Sequence, residues 1–151
     1  MSLMNSRLTP LILLLLLNSC STTKTVSLKT HNDKGESFIY SLELPKGYKL
    51  TKFSFENENV QTYTYVDSSR IFFSDNLAAS AFYKDAYKKY GKDINLTFLS
   101  SDTITISGQD EEGRYWKTRK DYNVVYGYTQ VPADKLNQFE NIINSFKQTT
   151  K

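Results

Sequence analysis

The chain has 151 residues, 39% hydrophobic and 23% charged, with a formal net charge of +3 and a single Cys. That length suits one domain. Six Gly and three Pro exclude a collagen-like chain, 14% aromatic residues with a small net charge exclude wholesale disorder, and one Cys excludes an intrachain disulfide.

Residues 1–20 read MSLMNSRLTPLILLLLLNSC. Arg7 supplies a positive flank, and Leu11–Leu17 is an unbroken apolar run. A helix needs roughly 20 apolar residues to span a bilayer, so this run is too short for an anchor and has the layout of a secretory signal. It stops at Leu17-Asn18-Ser19-Cys20, which resembles the lipobox of bacterial lipoproteins. The resemblance implies a diacylglyceryl thioether on Cys20, cleavage between Ser19 and Cys20, and acylation of the new amine. Two or three acyl chains on one residue hold persistently where one holds only marginally. It therefore divides the chain into a signal peptide at 1–19, a lipidated tether at 20–30 and a single domain at 31–151. Ser21 after Cys20 is not acidic, which in bacteria resembling enterobacteria implies the outer membrane. Cleavage removes one charged side chain, Arg7, and lowers the net charge to +2.

The domain opens on turn chemistry at His31-Asn32-Asp33-Lys34-Gly35. Phe38, Tyr40, Leu42 and Leu44 then alternate with Ile39, Ser41 and Glu43, the period of a strand, which Pro45-Lys46-Gly47 ends. Tyr48–Phe55 alternates again. Val60–Val66 and Arg70–Ser74 form a hairpin about Asp67-Ser68-Ser69. Over Asn76–Tyr90 the period changes: Ala78, Ala79, Phe82, Ala86, Tyr87 and Tyr90 predict an amphipathic helix, with Gly91 as its C-terminal cap. Thr103–Ser107 predicts a strand, Asp110-Glu111-Glu112-Gly113 a turn and Arg114–Thr118 a return. Arg119–Asn123 reads as a further turn and Val124–Val131 as a further strand. From Pro132 a second helix carries Leu136, Phe139, Ile142, Ile143 and Phe146 as one stripe. The expected fold is α+β: an antiparallel sheet of six or seven strands flanked by two helices.

Tyr40-Ser41-Leu42-Glu43-Leu44-Pro45-Lys46-Gly47-Tyr48 resembles the opening of PsbP-type domains, where a strand ends in Pro-x-Gly-aromatic. Ile142-Ile143-Asn144-Ser145-Phe146 is similar to the end of that family's last helix. The resemblance implies an antiparallel sheet between helices, and proteins that dock on membrane complexes or assist their assembly, usually without catalysis. No ligand residue carries over.

Catalytic signals are sparse. His31 is the single His and sits beside a turn, where an exposed loop His is expected. One His excludes a multi-His metal site, and lipidation of Cys20 removes the thiol as a ligand. The sequence contains no Gly-x-Ser-x-Gly, Walker-type or Gly-x-Gly-x-x-Gly motif. Asp110, Glu111 and Glu112 could hold a hard cation, but three acids before a Gly read first as a solvated turn. An enzyme working on carboxylates alone would need Glu56, Asp102 and Asp110 to converge in one cleft. Lys84, Lys88, Lys89 and Lys92 load the end of the first helix and suit either anionic headgroups or solvent.

Trp116, Tyr126 and Tyr128 are the candidate contact surface, because exposed Trp and Tyr bring large area at low entropic cost. The opposing expectation packs them beneath the final helix. The sequence thus reads as a lipid-anchored envelope protein whose domain is a non-catalytic binding or assembly module. The membrane is its partner through Cys20, an envelope protein complex is a candidate partner, and nucleic acid, metal and cofactor are not expected. The alternative is a periplasmic carrier with a small-ligand pocket between sheet and helices.

Overall fold

The computed structural model describes residues 23–31, 35–55, 58–75 and 84–150. The signal segment, Cys20, Asn32–Lys34, Glu56 and the first part of the expected helix (76–83) lie outside the described residues.

The fold is α+β and mostly antiparallel β. Strands β1 (Thr23–His31), β2 (Ser37–Pro45) and β9 (Lys147–Thr150) form one sheet in the order β1-β2-β9. Strands β3 (Lys49–Phe55), β4 (Glu58–Thr64), β5 (Arg70–Ser74), β6 (Thr103–Gln109), β7 (Tyr115–Asp121) and β8 (Val124–Val131) form a second, in the order β3-β4-β5-β8-β7-β6. Helices α1 (Lys84–Tyr90) and α2 (Ile94–Ser100) precede β6. A 3-10 turn over Ala133–Lys135 leads into α3 (Leu136–Asn144).

Two cores lie on opposite faces of the six-stranded sheet. On one face Tyr63, Ile71, Phe73, Tyr126 and Tyr128 meet Leu28, Tyr40, Leu42 and Leu44 of the three-stranded sheet and Phe139, Ile142 and Ile143 of α3. On the other face Phe72, Ile106, Trp116 and Val125 meet Ala86 of α1 and Ile94 and Phe98 of α2. Strand β8 is covered on both faces, so its residues are buried almost without alternation.

Several expectations change. Residues 23–30, read as tether, are the strand β1, because Val26, Leu28 and Thr30 alternate inward against β2. Nine strands lie among the described residues, because β1 and β9 add to the six or seven expected; β9 has no apolar signal and is a strand through its pairing with Phe38–Ser41. Arg119–Asp121 continues β7, and the turn shrinks to Tyr122-Asn123 between the paired Asp121 and Val124. The helix expected to end at Tyr90 does end there, with Gly91 at φ +82° donating its N–H to the Tyr87 carbonyl at 2.9 Å. Helix α2 was not expected. The nearly buried Lys120 fixes its end, donating to the Phe98 and Leu99 carbonyls at 3.0 and 2.9 Å.

The turns of one end are stapled together. Asp67 accepts from the backbone N–H and hydroxyl of Ser69 and from Lys135 Nζ at the entry to α3. Arg114 Nη1 donates to the Asp67 and Gln130 carbonyls at 3.0 and 2.9 Å, tying the β4–β5 turn and the end of β8 to the β6–β7 turn. Burial opposes ionisation of Asp67, but the bonds from Lys135 and Ser69 outweigh it and hold the carboxyl down at about 2, from 3.8. A depressed carboxylate contributes stability that is complete above its unfolded value and lost as pH falls through its folded value. Stability should therefore drop between pH 4 and pH 2 by about 1 kcal/mol through this group, after screening at a partly exposed site. Asp67→Asn should remove that part of the acid limb in urea titrations at the two pH values.

Gly127 lies on β8 where an added Cβ would sit 1.9 Å from the Lys117 carbonyl oxygen and 2.7 Å from the Phe72 ring. Backbone cannot give way as a flexible side chain can. Gly127→Ala should cost about 2–3 kcal/mol in chemical denaturation, or prevent folding.

Candidate functional site

The residues expected at a contact surface are interior. Trp116 is 3% exposed, Tyr126 0% and Tyr128 2%. The two tyrosines pack beneath α3, as the opposing expectation had it, whereas Trp116 lies on the other face of the sheet. The reason is double coverage: alternation along β7 and β8 sends aromatic residues to two cores rather than to one core and solvent. Trp116 lies against Gly108 on the neighbouring strand, whose missing side chain leaves room for the indole.

Two of these residues nevertheless line a groove of about 540 Å³, open to solvent at the β6–β7 edge. Trp116, Tyr115 and Tyr128 form its aromatic part, Leu136 and Glu140 come from α3, and Lys89 reaches over from α1. A bulge shapes this edge. Tyr115 pairs with Val131 and Lys117 with Tyr128, so β8 holds one extra residue, and Gln130 adopts φ +59°. The bulge returns Val131 to the same core as Tyr128.

The groove's charged groups are already committed. Glu140 Oε1 accepts from Tyr128 Oη at 2.6 Å and Oε2 from Lys117 Nζ at 2.5 Å. Burial pushes the Glu140 carboxyl up, but Lys117 and Tyr128 together hold it below its ordinary value. Burial, then the bond to Glu140, raises the Tyr128 phenol. Lys89 Nζ donates to the Ser107 carbonyl at 2.7 Å, as does Tyr90 Oη at 3.0 Å. A carboxylate held ionised with both oxygens occupied orients its neighbours and is a poor proton shuttle.

The acidic turn is likewise structural. Asp110 Oδ1 accepts the N–H groups of Glu112 and Arg114 at 3.0 and 2.9 Å, and Oδ2 accepts from Gln130 at 2.9 Å. Glu111 pairs with Lys88. The lysines at the end of α1 thus hold the β6–β7 hairpin. Asp102 is exposed and distant along the edge from this turn, at the opposite end of β6. His31 is exposed at the end of β1, with Nδ1 3.2 Å from Ser37 Oγ. Among the described residues no group of three or more His, Cys, Asp or Glu is placed to hold a metal ion.

Two smaller grooves open elsewhere. One of about 440 Å³ runs along α3 and is lined by Thr23, Glu43, Pro45, Gln138 and Asn141. The other, of about 290 Å³, lies between Tyr40 and Tyr122. Between sheet and α3 the space is filled by rings: Phe146 stacks on Tyr126 at 4.1 Å and on Tyr40 at 5.7 Å, and Phe139 meets Tyr65 and Tyr128 edge-on.

Comparison with known protein families, with curated proteins and with solved structures finds no match for this chain.

Glu140→Gln keeps the shape but leaves Lys117 without its anionic partner. It should lower stability by about 1–2 kcal/mol at neutral pH. The contribution of a depressed carboxylate is present above its unfolded value, near 4.5, and fades as pH falls through the folded one. The difference between Glu140→Gln and the parent should therefore shrink in acid, measured by urea unfolding at pH 7 and pH 3.

Proposed function

We propose that the chain is an exported bacterial lipoprotein, held in the cell envelope by lipid on Cys20, whose α+β domain is a non-catalytic binding or assembly module. The observation that carries this reading is the order of Arg7, the Leu11–Leu17 run and Leu17-Asn18-Ser19-Cys20, followed within three residues by β1.

The non-catalytic part rests on the committed charged groups of the groove at the β6–β7 edge. Its aromatic floor and the outer edge of β6 suit an extended or aromatic segment of an envelope protein complex. The PsbP resemblance belongs to the same reading. Pro45-Lys46-Gly47 turns the chain from β2 into β3, and Ile142, Ile143 and Phe146 seat α3 on the sheets. The carrier reading stands second, because aromatic rings fill the space between sheet and α3 where its ligand would lie. Ser21 favours the outer membrane.

Cys20→Ala should accumulate an unprocessed precursor that takes up no labelled lipid. Normal lipid labelling of that variant would overturn the anchoring.

A further inference from the structure

Strand β1 begins at Thr23, so the α-carbon of Cys20 lies at most about 11 Å from that of Thr23. That upper bound exceeds the Debye length of about 8 Å at physiological salt by only a few ångströms. Any surface holding the Cys20 lipid therefore lies within about one and a half Debye lengths of one corner of the domain.

The corner is well defined. Thr23 pairs with Pro45, and the Pro45 carbonyl accepts from Tyr65 Oη at 3.0 Å. The next residue, Val66, is 100% exposed at the tip of the β4–β5 turn. Lys49 pairs with Thr64 beside the same turn, and Lys24 and Lys46 flank Thr23 and Pro45. All three lysines are exposed. Of the nearby acids, Asp67 is held by Lys135 and Ser69, and Glu43 by Lys147, which leaves Asp134 on the 3-10 turn. The acidic turn Asp110–Glu112 lies at the same end but three strand spacings away, about 14 Å.

We propose that this corner is the membrane-facing surface of the domain. Val66 enters the headgroup layer, and Lys24, Lys46 and Lys49 face the phosphates of anionic lipid. The proposal rests on the lipidation of Cys20 and adds to it an orientation: α3 and the β6–β7 groove stand to the side of the anchor, and the Tyr122-Asn123 turn points away from the bilayer. A short apolar tip ringed by lysines is the chemistry of an interfacial contact, weak alone and effective once acyl chains hold it in place.

The test uses the mature lipidated protein carrying Val66→Cys. The Cys20 sulfur is consumed in its thioether, so the new thiol is the one free to take an environment-sensitive fluorophore. The protein is reconstituted in vesicles of phosphatidylglycerol with phosphatidylcholine, and the label is quenched by lipid-borne spin probes. Asn123→Cys, at the far end of the sheet, is the reference. Quenching should be severalfold stronger at 66 than at 123, and Lys24→Gln, Lys46→Gln and Lys49→Gln together should reduce the membrane-bound population of the label by about tenfold. Equal quenching at the two positions would overturn the orientation. Equal quenching in phosphatidylcholine alone would overturn the role of the lysines. Mass analysis of the Cys20 peptide separates the premises: an unmodified peptide overturns the anchoring and this inference together, whereas a lipidated peptide with no preference for position 66 overturns this inference alone.

Discussion

A strand covered on both faces has no face to give to water, and β8 is such a strand. Its tyrosines bring large area to the core beneath α3, but each phenol must find an acceptor once buried. Tyr126 finds Asp121 and Tyr128 finds Glu140. Those carboxylates in turn need cations, which Arg119 and Lys117 supply. The row of charged residues along β7 is therefore the counterpart of the aromatic row along β8. The same requirement removes these acids from chemistry, since both oxygens of Glu140 serve its own neighbours. Gly127 completes the arrangement, letting β7 and Phe72 close on β8 where any side chain would hold them apart.

Much of this fold is legible in the sequence wherever alternation or helical spacing is strong. Phe38–Leu44, the 60–74 hairpin and the stripe from Leu136 to Ile143 are set by local pattern, and the structure places strands and a helix there. β1 carried a weaker version of the same signal, Val26-x-Leu28-x-Thr30, masked by its Lys and Thr content. α2 is seven residues long and rests on only Ile94 and Phe98, too few to establish a period. β9 has no pattern of its own and takes strand form from its partner.

The candidate site was less legible, for one physical reason. A residue's direction along a strand can be read from alternation, but what covers each face cannot. Trp116, Thr118 and Lys120 alternate with Lys117 and Arg119, and a Lys in each set suggests two wet faces. In the structure Lys120 is 4% exposed because the open carbonyls of α2 require a donor. The groove at the β6–β7 edge depends on a bulge at Gln130, and no residue type demands φ +59° there. Its lining comes from α1, β6–β8 and α3, which only tertiary packing brings together.

The last fifteen residues described do more than extend the chain. α3 lids the inner core, Phe146 is stacked between Tyr40 and Tyr126, and β9 pairs with a strand more than a hundred positions earlier. Ser145 Oγ accepts the Glu43 backbone N–H across that same span. Contacts across so long a loop form late, because closing it is entropically costly. A chain emerging N-terminus first therefore stays open until these residues appear, its aromatic core unsealed.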